Sequence, residues 1–210
     1  MSIRPATGSL PESSLQSASS LVIQQTRNYA EVIPWVEQMN RYAVNTRSGQ
    51  RLLSIEDTSH KFKNILTRQS PPFWLHASTP TEKMMLEFHV PFRFLYREVL
   101  VADEQDRLLG SIRQEFFALR RKFRVYGAEG QELYRIVGRM WLDYDQWDYA
   151  IFQYRTKIGM ISNEWGGLAQ EMLTDADTYT LTFPPNLPLT HKYLLIGATL
   201  LIDLIYFEES

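Results

Sequence analysis

The chain has 210 residues, 44% of them hydrophobic and 22% charged, which suits one globular domain with a single core. Its net charge of −2 sets up no global field toward nucleic acid. The absence of cysteine excludes disulfides, thiolate zinc sites, cysteine nucleophiles and S-palmitoylation. From residue 1 to about 28 the sequence is serine-rich, with Pro5 and Pro11, and holds no apolar run of secretory-signal length. So little apolar surface predicts a disordered tail over residues 1–28 and one folded domain over 29–210.

From there one phrase repeats: a short alternating apolar run, a polar turn and a second run. Tyr42–Val44 leads through Asn45 to Gly49 into Leu52, Leu53 and Ile55. Val99–Val101 leads through Asp103 to Arg107 into Leu108, Leu109 and Ile112. Phe123–Tyr126 leads through Gly127 to Gln131 into Leu133, Ile136 and Val137. Tyr149–Phe152 leads through Tyr154 to Thr156 into Ile158, Met160 and Ile161. Period-two alternation around Gly, Asn and Asp turns predicts antiparallel hairpins. Met84–Phe88 and Tyr179–Phe183 are further strand candidates, and the short connections leave no room for helical crossovers. The expected class is mainly β, a barrel or sandwich.

Helical pattern occurs at Trp165–Leu173 and at His191–Glu208. Within the second, Tyr193, Leu194, Leu195 and Ile196 are consecutive and cover the whole circumference, so this is either a core helix or a membrane span. A span needs about 20 apolar residues, whereas here Thr199 and Asp203 interrupt the run. A helix over 191–208 is about 27 Å long at 1.5 Å per residue, close to the height of a barrel of seven-residue strands. A buried helix inside a β shell follows, with Leu194, Ile196, Gly197, Leu201 and Ile205 among its core positions, Gly197 admitting the wall closely.

Three blocks in the C-terminal third, Gly159–Leu168, Thr174–Pro184 and Leu194–Glu208, resemble the C-terminal part of phospholipid scramblases in order and spacing. Asn40–Leu52, followed by Glu56, Asp57 and Thr58, resembles that family's first hairpin. The resemblance implies a closed, tubby-like antiparallel barrel of about twelve strands around a central C-terminal helix. It implies phospholipid binding, and calcium-stimulated movement of phospholipid between leaflets, by a cytoplasmic protein peripheral at the inner face of the plasma membrane. A soluble module that binds a protein partner or an apolar ligand without scrambling is the alternative. Against the family stand the absent cysteine cluster and the short serine-rich leader.

For calcium, the family's proposed stretch falls at residues 175–186. Asp175 and Asp177 match its first two acids, but Asn186 stands at the far end and Pro188 where another acid is expected. Calcium wants six to eight oxygens, several of them carboxylate, so only a weak site is expected. The same residues also read as a helix-ending turn leading into a strand. Arg120, Arg121 and Lys122 form the one compact basic cluster, suited to acidic phospholipid headgroups or to guarding an edge strand. The stretch Trp141–Tyr149 reads as a hairpin with aromatics inward and acids outward. His60, His76, His89 and His191 are scattered and read as structural. His191-Lys192 places cations at a helix start, against the dipole. No phosphate loop, nucleophile elbow, metal helix or kinase signature is present, so hydrolase or transferase chemistry is not expected.

Overall fold

The computed structural model describes residues 11–25, 41–58, 72–91, 97–115, 120–140, 148–163 and 178–206. In chain order these form α1 (Pro11–Ser17), β1 (Ser20–Gln25), β2 (Arg41–Asn45), β3 (Arg51–Asp57), β4 (Phe73–Ser78), β5 (Met84–Val90) and β6 (Glu98–Asp103). There follow β7 (Leu108–Gln114), β8 (Arg120–Gly127), β9 (Glu132–Met140), β10 (Tyr149–Gln153), β11 (Thr156–Asn163), β12 (Thr178–Thr182) and α2 (Leu189–Tyr206). Each strand pairs antiparallel with its sequence neighbours. β1 closes the ring on β12 with Ser20 opposite Thr182 and Gln24 opposite Thr178. An even strand number lets an antiparallel meander close, and closure removes every open edge.

Four hairpin turns share one geometry, because their sequences solve the same problem. In each, the first residue accepts from the amide three positions on, and its own amide donates to the carbonyl four positions on. The pairs are Thr46 with Gly49 and Gln50, Thr79 with Glu82 and Lys83, Asp103 with Asp106 and Arg107, and Gly127 with Gly130 and Gln131. The fourth position has positive φ every time, at Gly49, Glu82, Asp106 and Gly130. This is a type I turn closed by a left-handed residue, and the ladder slips by one residue beside each turn. Glycine meets that requirement without cost at two of the four positions.

The expected disordered tail does not describe residues 11–25. Leu15, Leu21 and Ile23 are fully buried, and β1 supplies the closing strand. Leu21-Val22-Ile23 is the local signal, a β-branched run diluted by the serines around it. The helix expected at Trp165–Leu173 and most of the stretch Trp141–Tyr149 lie outside the described residues; Tyr149 itself is buried in β10.

Inward positions of the strands enclose α2. From Lys192 to Asp203 every residue of α2 is buried, including Leu194, Leu195, Ile196, Leu200, Leu201 and Ile202, each worth about 1.5–3 kcal/mol relative to exposure. Ile205 is half-buried. A side chain begun at Gly197 would meet Ile112, Val101 and Phe88 at 3.1, 3.1 and 3.2 Å, so glycine sets how closely the wall approaches. No described helix is long and apolar enough to cross a membrane.

Candidate functional site

The chain enters α2 at the barrel end that carries the short turns and α1. Two prolines and Asn186 make the corner after β12, and the amides of His191 and Lys192 bond back to the Pro188 carbonyl. Lys192 then points away from its own helix. Its side chain is fully buried, and Nζ donates to the carbonyls of Leu15 (3.0 Å), Gln16 (2.6 Å), Ala18 (2.7 Å) and Pro185 (3.1 Å). It also stands 5.1 Å from the Phe183 ring centroid. Leu15 and Gln16 belong to the last turn of α1, whose carbonyls lack intrahelical partners and carry negative partial charge. The cation that looked misplaced at the start of one helix thus caps the end of another.

His191 sits beside it, with Nδ1 2.6 Å from the Tyr134 hydroxyl. Burial pushes the imidazole below its ordinary 6.5 and pushes the Tyr134 phenol up to about 12. Both groups are therefore neutral near pH 7. As pH falls below 6.5 the unfolded chain takes up the proton first, so stability declines until the lower folded pKa is passed and then levels off. We expect the urea midpoint to fall between about pH 7.5 and pH 5, and His191→Gln to flatten that slope; an unchanged slope in the variant would assign it to other groups.

Between α1 and the first turn of α2 lies a half-open cavity of about 220 Å³. Met85, Leu109, Leu189 and Tyr193 give it apolar walls, and Glu12, Lys83, Asp103, Glu104 and Arg107 carry its charges. Lys83 pairs with Glu104 at 3.1 Å and Arg107 with Asp103 at 2.7 Å. The Arg107 guanidinium holds Asp103 below the usual carboxylate range.

At the opposite end of the barrel, Asp203 is 1% exposed. It accepts from the Tyr42 hydroxyl at 2.7 Å and the Tyr179 hydroxyl at 2.8 Å. β2 and β12 begin at this end, so residue 42 of one strand and residue 179 of another meet one turn of α2.

The residues singled out in the sequence do not form one site. Arg120, Arg121 and Lys122 open β8, with Arg120 exposed and the other two half-buried across a bulge opposite β9. Further along, Arg124 is held by Glu115 and, at 2.7 Å, by Glu132. Asp175 and Asp177 lie outside the described residues. Asn186 is exposed in the corner after β12. Among the described residues no group of three His, Asp or Glu side chains is placed to hold a metal ion. The pairing of Lys192 with α1 carries no sequence signal, since its partners stand more than 170 positions away.

No solved structure matches the chain. Among proteins of known name, it is 25% identical over 209 residues to phospholipid scramblase 1 of Mus musculus, covering 93% of this chain and 63% of that one. Phospholipid scramblase 2 of Homo sapiens is 24% identical, with 93% and 70% covered. Phospholipid scramblase family member 5 of Homo sapiens is 23% identical, with 93% and 76% covered. The chain thus spans under two thirds of the mouse protein's length. The scramblase family model matches residues 3–209, nearly the whole sequence, and the chain belongs to the scramblase family.

Proposed function

We propose that this barrel binds phospholipid headgroups at a membrane surface, at the inner face of the plasma membrane, and promotes phospholipid exchange between leaflets. The observation that carries the reading is the family match over residues 3–209, together with relatives named phospholipid scramblases. The enclosed α2 supports contact through the outer surface rather than through a helical anchor. Arg120, Arg121 and Lys122 are the basic group for an anionic surface, each worth about 1 kcal/mol close to it. For calcium, Asp175, Asp177 and Asn186 make at most a weak site, since two carboxylates and one amide fall short of the oxygens calcium takes.

The filled interior favours a second reading. A barrel packed with its own helix offers no polar path through itself for a headgroup, which suits a lipid-binding module that does not scramble. A fluorescent-lipid flip assay in proteoliposomes, with and without calcium, separates the two when paired with vesicle co-sedimentation. Flipping supports the first reading, and binding without flipping selects the second. Replacing Arg120, Arg121 and Lys122 by alanine is expected to reduce sedimentation with anionic vesicles several-fold; unchanged binding removes them from the surface.

A further inference from the structure

The cavity between α1 and α2 holds one carboxylate more than it holds cations. Lys83 and Arg107 are matched by Glu104 and Asp103, while Glu12 has no cation partner among the described residues. Beside it, Tyr193 is 6% exposed and its hydroxyl has no hydrogen-bond partner among the described residues. A buried hydroxyl in that state is destabilising until a partner reaches it. The exposed Glu12 carboxylate and the Tyr193 hydroxyl are close enough to act on each other, since burial first and the Glu12 charge second push the Tyr193 phenol up.

We propose that this cavity binds a primary ammonium group, that of an ethanolamine phospholipid headgroup. The proposal rests on the phospholipid reading above. A primary ammonium carries three N–H donors, so it can donate at once to the Glu12 carboxylate and to the Tyr193 hydroxyl oxygen. It also restores the missing positive charge. A quaternary choline nitrogen has no N–H and leaves the hydroxyl unmet. Met85, Leu109 and Leu189 suit the methylenes of the headgroup. The volume of about 220 Å³ equals roughly seven waters at ~30 Å³ each, room for a headgroup and not for acyl chains. Lys83 and Arg107, with side chains 62% and 71% exposed, keep N–H donors beyond those given to Glu104 and Asp103, which suit the phosphate.

The test titrates the full chain with glycerophosphoethanolamine and with glycerophosphocholine by calorimetry, then repeats the comparison on phosphatidylcholine vesicles with and without phosphatidylethanolamine. The ethanolamine compound is expected to bind about tenfold tighter than the choline compound, and Glu12→Gln and Tyr193→Phe each to lower its affinity about tenfold with melting temperatures kept. Equal binding of the two headgroups, or no response to either variant, overturns the proposal. Vesicle binding that ignores phosphatidylethanolamine and both variants also overturns it, and leaves the membrane reading standing. Ethanolamine binding in solution without vesicle binding supports the cavity and removes the membrane reading.

Discussion

Asp203→Leu is expected to lower stability by about 3 kcal/mol in equilibrium urea unfolding, and Tyr42→Phe combined with Tyr179→Phe by about 3–5 kcal/mol. The first change takes an acceptor from two buried hydroxyls, at about 1–3 kcal/mol each. Relief from desolvating a carboxylate offsets part of that. The second change keeps the carboxylate, 1% exposed, and deletes the donors at 2.7 and 2.8 Å that solvate it. A buried carboxylate that loses two donors is costlier than two buried hydroxyls that each lose one acceptor. The triple variant removes all three of these polar groups, and the leucine fills space that two lost oxygens vacate. It should be more stable than the double tyrosine variant, with a coupling of about 2 kcal/mol or more. Losses that simply add would show that the tyrosines do not hold this carboxylate.

The same variants bear on the membrane. If α2 left the barrel to insert, Asp203 would oppose it, since an aspartate at a bilayer centre costs about 2.5–3.5 kcal/mol on insertion scales. Asp203→Leu should then increase retention on neutral vesicles. With α2 enclosed, retention should stay level while stability falls.

Most of the barrel was legible in the sequence for a local reason. A hairpin is specified within about a dozen residues, and the runs around Asn45, Asp103, Gly127 and Tyr154 each carry strand, turn and strand in one window. α2 was legible because apolar residues on all faces need no knowledge of what covers them. What was hidden is non-local. β4 escaped notice although the turn at Thr79–Lys83 links it to β5, since Trp74 and His76 alternate with Leu75 and Ala77 too briefly. β1 and α1 are ordered by contacts with β12 and with Lys192, far along the chain, against a composition that argues for disorder. The twelve strands were countable only through the family resemblance. The candidate cavity was invisible for the same reason. Glu12, Asp103 and Tyr193 come from three separate parts of the chain and meet only where the barrel end closes.

That closure depends on one ammonium, and Lys192→Met is the change that tests it. Methionine keeps the length and the packing over Phe183 while removing every donor from the carbonyls of Leu15, Gln16, Ala18 and Pro185. We expect a loss of about 2–4 kcal/mol, because several buried carbonyls lose their partner together. The loss should be local first. Chymotrypsin should cut within residues 11–18 of the variant under conditions where the barrel still resists it, because Leu15 is the only buried side chain among those described in α1. Lys192→Arg should fail to rescue, since a planar guanidinium cannot replace a point charge among four carbonyls. Burial pushes the Lys192 ammonium below its ordinary 10.5. Between the folded value and 10.5 the unfolded chain holds the extra proton, so stability rises with pH across that window. The methionine variant should lose this rise. Measurements belong below about pH 10, because above it the buried Tyr134 and Tyr193 phenols, both pushed up, act in the opposite direction. A variant with wild-type protease resistance and an unchanged alkaline slope would show that α1 stays docked without Lys192.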